Sequence, residues 1–326
     1  MDNWIFICNN IDDLTSQTDA KGKTITFSYD ALNRLIQKVY PSYNITYSYD
    51  DPAGPFSTGK LTKSSVSGGM ANEDWVLEYD LMQRGKRSLK KVGSSTPVFE
   101  RTFDSAGRTL SLKYLAGSPS EKTYGYEYDV AGNLLYVKDS ATGGHLADYS
   151  GFTALGQPAQ AVYPKSGNVS IKRTYTYDPV TNRLTTALTQ KWEGGTLVDT
   201  YKKLEYQYDP IGNPLQVHDN PNSTAPANLV YNYDAIGNIT FKTDVGSYAY
   251  TYTNKPHAVN SAGNISLQCD ANGNMTQRAV FGRDILAVSY NYDNKRDIIQ
   301  KNGNNFVGFT YDGNGNRVKK SISQAK

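Results

Sequence analysis

A phrase of two aromatic residues, an aspartate and a glycine recurs along nearly the whole chain. Its fullest form is Tyr-x-Tyr-Asp-x-x-Gly-Asn followed by an apolar residue, as in the segment from Tyr231 to Ile239. Successive copies are separated by roughly 20–25 residues, an interval typical of array proteins. In such arrays each unit buries its apolar face only against its neighbours. The repetition therefore predicts one extended array, whose function resides in an assembled surface rather than in a single catalytic motif.

The residue types within one copy predict a β-hairpin. Tyr231 and Tyr233 lie two residues apart, so on a strand both side chains point to the same face. Asp234 can accept a hydrogen bond from the backbone amide two residues on and so begin a turn. Gly237 adopts a positive φ at little steric cost, and Ile239 resumes the strand. One repeat is therefore expected to be two strands joined by a loop of four or five residues.

These hairpins predict an all-β fold: an array of β-hairpins forming a continuous, curved or spiralling antiparallel sheet. Residues 1–11 are expected to form an initial strand or edge, residues 12–320 the repeats and residues 321–326 a tail, all in a single domain. No useful helical period appears, and glycine, asparagine, threonine and serine interrupt the sequence throughout. The hydrophobic content of 38% is low for a thick core and suits a single sheet with few fully buried aliphatic side chains.

The repeated aspartates, glycines and tyrosines are the residues to which the sequence assigns roles. An aspartate at the same point of so many hairpins is expected to form a turn, since an enzyme needs a general acid only once or twice. The predicted turn residues are Asp30, Asp50, Asp80, Asp104, Asp129, Gly132, Asp178, Asp209, Gly212, Asp234, Gly237, Asp270, Gly273, Asp293, Asp312 and Gly315.

The paired tyrosines are expected to pack as a ladder across adjacent hairpins. The predicted ladder comprises Tyr47, Tyr49, Tyr126, Tyr128, Tyr175, Tyr177, Tyr206, Tyr208, Tyr231, Tyr233, Tyr250, Tyr252, Tyr290, Tyr292 and Tyr311. The alternative is that these rings form stacking platforms for sugars or single-stranded nucleic acid. Because the hydroxyl groups tolerate water, the tyrosine face can line a cavity and need not be a dry core.

Motifs that carry catalysis or bind cofactors are not found. The three histidines are scattered, and no metalloprotease, nucleophile-elbow, phosphate-loop or dinucleotide signature occurs. We therefore expect a protein that is not an enzyme and has no cofactor. Asp312, Asn314 and Asn316 echo the start of a calcium loop, but Arg317 and Ser323 stand where that loop needs glycine and glutamate. No metal site is predicted.

Charge and cysteine content exclude several other classes of function. The net charge of +3 is spread along the chain and gives no electrostatic case for a nucleic-acid partner. The dense basic stretch from Arg84 to Lys91 is interpreted as a solvated hairpin tip. Cys8 and Cys269 do not form a disulfide framework, and Cys269 replaces a tyrosine of the repeat.

Targeting signals are equally sparse. No apolar run is long enough to span a membrane, and the apolar segment Trp4–Cys8 lacks the basic residues that begin a signal peptide. Three expectations follow: release by a specialised machine, retention in the cytoplasm, or excision from a longer precursor.

The repeats resemble those of the YD-repeat, or Rhs-repeat, family. That family includes bacterial Rhs polymorphic toxins, wall-associated proteins, the B and C components of Tc insecticidal toxin complexes and, more distantly, the animal teneurins. The resemblance covers essentially residues 12–320 and rests on the repeated tyrosine–aspartate–glycine spacing. The stretch from Tyr252 to Lys320 is similar to the one that family members carry just before their conserved core region.

The resemblance implies a mechanism of containment. In such proteins the hairpins wind into a hollow shell, which encloses a C-terminal toxin and keeps it inactive until delivery. The family's core region, which in several members acts as an aspartyl self-protease, would follow Lys320. Neither that region nor a toxin domain is recognised in the sequence, so self-cleavage and toxin activity are assigned to no residue. The expectation is a shell segment, a truncated product or one part of a split assembly.

The leading hypothesis is a non-enzymatic scaffold, part of the hollow β-shell that encapsulates a C-terminal toxin or effector in a bacterial Rhs- or Tc-like secreted protein. The expected partners are the remainder of the shell and the enclosed toxin or effector chain, with no nucleic acid and no membrane span. The expected location is secreted or at the bacterial cell surface, after a cytoplasmic stage. The alternative is an adhesion module that binds a cell-surface glycan or protein through exposed tyrosines and loops.

Overall fold

The structure is a computed structural model that describes residues 4–68, 71–165, 167–219, 227–281 and 283–323. Within those ranges every regular element is a β-strand and no helix is present. The strands are β1 (Ile5–Cys8), β2 (Leu14–Thr18), β3 (Thr24–Tyr29), β4 (Leu35–Val39), β5 (Asn44–Tyr49), β6 (Leu61–Ser67), β7 (Asn72–Tyr79), β8 (Gly85–Val92), β9 (Val98–Phe103), β10 (Thr109–Tyr114), β11 (Lys122–Tyr128), β12 (Leu134–Asp139), β13 (His145–Ser150), β14 (Gln160–Pro164), β15 (Val169–Tyr177), β16 (Leu184–Glu193), β17 (Thr196–Tyr208), β18 (Pro214–Asp219), β19 (Ala227–Tyr233), β20 (Ile239–Lys242), β21 (Gly246–Ala249), β22 (Ser261–Ala262), β23 (Ile265–Cys269), β24 (Met275–Val280), β25 (Ile285–Tyr290), β26 (Arg296–Lys301), β27 (Asn304–Tyr311) and β28 (Arg317–Ile322).

Pairing follows the order of the chain. Each strand is hydrogen-bonded to the next strand in sequence, and the registers are antiparallel throughout. Hairpin follows hairpin, as expected from tyrosine and β-branched residues that alternate along short strands between turn-forming residues. The predicted fold class, an all-β antiparallel array of hairpins, is confirmed.

Contacts divide the chain into two compact units. Unit 1 contains Met1–Glu100 and Tyr248–Lys326, and unit 2 contains Arg101–Ser247. Unit 1 thus packs the first hairpins against the last ones, and its apolar cluster is centred on Ile25, Tyr40, Ile45 and Val66. In unit 2 the buried apolar side chains among the described residues are small, namely Ala147 and Ala161.

A β-bulge recurs at the point where a hairpin begins its return strand. Tyr29 pairs with Leu35, but Ser28 pairs with Gln37, so Ile36 is an extra residue on β4. The same displacement occurs opposite the last strand residue in other hairpins, at Tyr49, Tyr128, Tyr177, Tyr208, Tyr233 and Tyr311. A bulge interrupts the ladder locally and leaves backbone groups without their usual partners. The return strands therefore carry carbonyl groups that another donor can reach.

The dense basic stretch belongs to a strand. Residues 85–92 form β8, in register with β7. Lys90 lies opposite Asp74 and Lys91 opposite Glu73, and the two pairs form ion pairs of 2.9 and 3.6 Å. The interpretation of this stretch as a solvated hairpin tip is wrong, because its charges pair across the ladder with an acidic neighbouring strand.

Three tyrosines assigned to the ladder lie outside the strands. Tyr250 and Tyr252 belong to a run of turns between β21 and β22, and Tyr292 lies in the turn after β25. Proline interrupts the first of these segments, since Pro256 has no amide hydrogen to donate to a ladder.

One repeat is displaced by two residues from its predicted position. Tyr290, and not Tyr292, ends the strand and pairs with Arg296. The Oδ1 atom of Asn291 accepts the backbone N–H groups of Asp293 and Lys295 at 3.0 and 2.9 Å. The capping role assigned to Asp293 therefore falls to Asn291, because an asparagine side-chain oxygen can close the same turn.

Candidate functional site

The turns of the repeat share one hydrogen-bonding pattern. The Oδ1 atom of Asp234 accepts the amides of Ile236 and Asn238 at 3.0 and 2.8 Å, and its Oδ2 atom accepts the Nδ2 group of Asn238 at 2.8 Å. Gly237 has a φ of 86°, which an L side chain rarely adopts. One aspartate side chain thus connects both ends of a five-residue loop.

The other copies vary this pattern in their last loop residue. In three copies that residue is an arginine that forms an ion pair with the aspartate, as Arg34 does with Asp30 at 2.7 Å. Asp50 differs, because it closes a longer loop and accepts the amide of Gly59 at 2.5 Å. Loop amides are accepted in the same way by Asp80, Asp104, Asp129, Asp178, Asp209, Asp270 and Asp312, and the φ angle is positive at Gly132, Gly212, Gly273 and Gly315.

These turn carboxylates predict a loss of stability in acid. The backbone N–H of Arg34 lowers the pKa of Asp30, and the side-chain amide of Asn133 lowers the pKa of Asp129. A carboxyl whose pKa is lowered in the folded state contributes stability above its unfolded pKa of about 3.9, and loses it as the pH falls. We expect the melting temperature to be level above about pH 5 and to fall steadily below about pH 4.

The measurement is thermal unfolding, monitored by circular dichroism, at a series of pH values that spans this range. The control replaces Asp30 and Asp129 by asparagine, which keeps an acceptor oxygen but cannot titrate. The variant should melt at a lower temperature near neutral pH and show a shallower decline in acid. Parallel curves for the two proteins would contradict the assignment.

The second tyrosine of each pair joins its hairpin to the preceding one. The hydroxyl of Tyr49 donates to the carbonyl of Leu35 at 2.9 Å, and that of Tyr208 to the carbonyl of Leu184 at 2.8 Å. We call this bond the tyrosine latch. It recurs from Tyr29 to Leu14, Tyr79 to Leu61, Tyr128 to Thr109, Tyr177 to Pro158, Tyr233 to Pro214, Tyr290 to Met275 and Tyr311 to Arg296.

The latch explains which tyrosine of the pair the sequence preserves. The acceptors Leu35 and Leu184 open their return strands at a bulge, where the ladder is interrupted. The first aromatic position of the phrase accepts other residues, such as Phe27 and Leu77, whereas the second is almost always tyrosine. That asymmetry was the available signal for a hydroxyl contact. Ring packing was predicted for both positions, and the latch was not predicted.

Cations strengthen the same junction between hairpins. The guanidinium of Arg34 lies 4.4 Å from the ring centroid of Tyr49, and that of Arg108 lies 4.8 Å from that of Tyr128. Each arginine ends the loop of one hairpin, and each tyrosine belongs to the next. A cation over a tyrosine face contributes roughly 0.5–1 kcal/mol at an exposed site.

In unit 1, three successive turns of the last hairpins contact the strands and turns of the first ones. The turns are residues 270–274, 291–295 and 312–316. Each turn places an aspartate against a lysine or tyrosine of the first hairpins: Asp270 against Lys21 at 3.1 Å, Asp293 against Tyr40 at 3.0 Å, and Asp312 against Lys90 at 2.9 Å. We call the three turns and these partners the clasp.

Further contacts of the clasp run through the backbone. The hydroxyl of Tyr47 donates to the carbonyl of Gly313 at 2.7 Å, and the side-chain amide of Asn72 donates to the carbonyl of Tyr311 at 2.9 Å. A Cβ atom added to Gly313 would lie 2.8 Å from Cγ2 of Ile45 and 2.9 Å from Cβ of Ser64. The clasp therefore needs glycine at this position because no side chain fits.

Aromatic packing supports the middle turn of the clasp. The rings of Tyr40 and Tyr43 are stacked with centroids 4.3 Å apart, and Tyr292 lies 5.9 Å from Tyr43. Two causes raise the pKa values of these tyrosines: burial is the larger, and the negative charge of Asp293 is the next. The pKa values of Tyr40 and Tyr43 lie well above the usual value for tyrosine, and that of Tyr47 is raised to about 12. Tyr40 and Tyr43 lie outside the tyrosine–aspartate phrase, so no role was predicted for them.

The described residues show no centre for a metal ion, since no three histidine, cysteine, aspartate or glutamate side chains among them are grouped closely enough. The same part of the chain has no helix long and apolar enough to cross a membrane. The arrangement provides hydrogen bonds, ion pairs and ring contacts that join hairpins to one another.

Comparisons with known proteins agree with this architecture. A model of the RHS Repeat family matches residues 11–45, which contain the first tyrosine–aspartate hairpin. The crystal structure of TcdB2-TccC3-Cdc42 is 14% identical with a TM-score of 0.66, and that of TcdB2-TccC3 without its hypervariable C-terminal region is 14% identical with a TM-score of 0.62. A Photorhabdus luminescens Tc holotoxin pore is 13% identical with a TM-score of 0.61. Each match covers 99% of this chain and 20% of the other.

The resemblance to the YD-repeat, or Rhs-repeat, family is confirmed by the matching RHS repeat and by the shared fold. At this low identity the solved structures show the fold alone. The chain spans about a fifth of the length of the chains that it matches. Comparison with curated proteins by sequence gave no match.

Proposed function

We propose that this chain is a wall segment of a hollow β-shell, a non-enzymatic scaffold that encapsulates a C-terminal toxin or effector in a bacterial Rhs- or Tc-like secreted protein. The observation that carries the proposal is the fold shared with TcdB2-TccC3-Cdc42 over 99% of this chain. The proposed partners are the remainder of such a shell and the polypeptide that it encloses. The proposed location is outside the producing cell or on its surface, after a cytoplasmic stage.

The tyrosine latch supports a wall that has few buried aliphatic side chains. Each latch adds a side-chain hydrogen bond between two hairpins whose strands are already paired through the backbone. One such bond contributes roughly 1 kcal/mol to the free energy of unfolding. In an array, stability accumulates from such contacts between neighbours. A wall held together in this way needs no thick core against its tyrosine face, which leaves space there for a polypeptide.

The clasp supports a wall in which distant parts of the array meet. Tyr40 and Asp293 are 253 positions apart in sequence and form a hydrogen bond. Within unit 1, the turns of later hairpins thus rest on earlier strands, and such contacts would hold together the hairpins of a containing wall.

Protease protection tests this proposal. An unstructured polypeptide with several protease sites is fused after Lys326, and its cleavage is compared with that of the same polypeptide added separately to the chain. We expect the fused polypeptide to be cleaved several-fold more slowly, and the difference to vanish when the chain is unfolded. Equal rates in the folded state would refute containment by this segment.

The alternative function is an adhesion module for a cell-surface glycan or protein. It is favoured by exposed tyrosines, since Tyr114 and Tyr201 are 39% and 49% exposed. Glycan-array binding that disappears when both are replaced by alanine would support adhesion and argue against the shell.

A further inference from the structure

A cleft of about 660 Å³ lies beside the clasp in unit 1. Its wall includes Tyr43 and Tyr292, whose ring planes are tilted by 42° to each other, and the carboxylates of Asp293 and Asp297. Ligand sites in proteins have volumes of about 300–1,000 Å³ and combine apolar walls with a few polar groups. The cleft has the size and the mixed wall of such a site.

Of the three aspartates that line this cleft, only Asp312 has a cation partner within the described part of the chain, since it pairs with Lys90 at 2.9 Å. Among the described residues, Asp293 accepts the hydroxyl of Tyr40 but forms no ion pair, and the side chain of Asp297 has neither a hydrogen bond nor a cation partner. Loss of hydration raises the pKa of Asp297 above its usual value. The ammonium group of Lys23 also lines the cleft, without an ion pair to either carboxylate. Asp293 and Asp297 are both exposed, so a cation could reach both carboxylates and form charge-assisted hydrogen bonds with them.

We propose that this cleft binds a protonated alkylamine, either a free polyamine or the side chain of a lysine. The ammonium group would contact Asp293 and Asp297, while the alkyl stem would lie along the rings of Tyr43 and Tyr292. Tyrosine faces attract ammonium groups, and an alkyl stem packs on apolar surface.

The chain uses the same chemistry at its own junctions. The ammonium of Lys255 lies 5.2 Å from the ring centroid of Tyr252, and that of Lys295 lies 5.5 Å from that of Tyr311. The cleft differs in that its tyrosines and carboxylates leave room for an amine from elsewhere. The inference rests on unit 1 alone and is independent of the proposed shell.

Calorimetric titration of the full chain with cadaverine tests the inference. Pentanol, which has a similar alkyl stem but no charge, is the matched probe. We expect saturable binding of cadaverine and none of pentanol. Asp297→Asn should weaken cadaverine binding several-fold, and Lys23→Ala should strengthen it because it removes the competing cation. Asp244→Asn, which removes an exposed carboxylate of unit 2, should leave binding unchanged.

Opposite effects at the two cleft positions are the decisive result, since loss of folding would weaken binding in both variants. Equal weakening by Asp297→Asn and Asp244→Asn would overturn the proposal and indicate attraction to net charge alone. Binding of pentanol as tight as that of cadaverine would overturn it as well. A short lysine-containing peptide that binds more tightly than cadaverine identifies a polypeptide as the amine source, and the reverse order identifies a free polyamine.

Discussion

Replacing Gly313 by alanine is expected to open the clasp and to lower the free energy of unfolding by about 1–3 kcal/mol. The added Cβ atom would lie within 3.0 Å of atoms of Ile45 and Ser64, both of which are buried. The turn must move away from the strands, and the bonds from Tyr47 and Lys90 lengthen with it. Chemical denaturation gives the free energy, and hydrogen exchange shows whether turn 312–316 loses protection.

Gly308 provides the matched control for this substitution. It lies on the strand that leads into the same turn, and a Cβ atom added there meets no atom within 4 Å. Gly308→Ala should leave the stability and the protection of the turn almost unchanged. Similar losses in the two variants would show that the close approach at Gly313 is not what holds the clasp.

Removing four latch hydroxyls from unit 2 is expected to lower the free energy of unfolding by about 4 kcal/mol, at roughly 1 kcal/mol for each hydrogen bond. The variant replaces the second tyrosine of four phrases by phenylalanine, at Tyr128, Tyr177, Tyr208 and Tyr233. Each substitution keeps the ring and leaves one carbonyl without its donor. Urea denaturation measures the loss, provided that the dependence of the unfolding free energy on urea concentration has the same slope in both proteins.

The control replaces the first tyrosine of the same phrases by phenylalanine, at Tyr126, Tyr175, Tyr206 and Tyr231. Within the described residues these hydroxyls make no hydrogen bond to the backbone, although the rings occupy the same strands. We expect the control to lose much less than the latch variant. Equal losses would mean that tyrosine contributes through its ring, and that the latch adds nothing.

The local parts of this structure could be predicted from sequence because their causes are local. Asp234 and Gly237 specify a turn through bonds and φ angles that span five residues, and the spacing of Tyr231 and Tyr233 specifies the strand that precedes it. The hairpin of β1 and β2 was not predicted, because Asn9 stands where the other turns have an aspartate. Its Oδ1 atom accepts the amides of Ile11 and Asp13 at 3.0 Å and closes the same kind of turn.

The clasp could not be predicted, because its partners are far apart in sequence. Asp293 meets Tyr40, and Asp312 meets Lys90, across more than 200 positions. Nothing in the spacing of the repeats determines which turn reaches which strand. The latch lies between these cases, since its partners belong to adjacent hairpins and its trace in the sequence is only a preference for tyrosine over phenylalanine.

In the proposed shell, the tyrosine face of the array contacts the enclosed polypeptide. Tyr206 and Gln207 are neighbours on one strand and point to opposite faces. A photoreactive phenylalanine analogue placed at either position, in the chain carrying the fused unstructured polypeptide, reports which face that polypeptide touches. We expect cross-links from position 206 and none from position 207. Cross-links from position 207 alone, or from neither position, would show that the polypeptide does not lie against the tyrosine face.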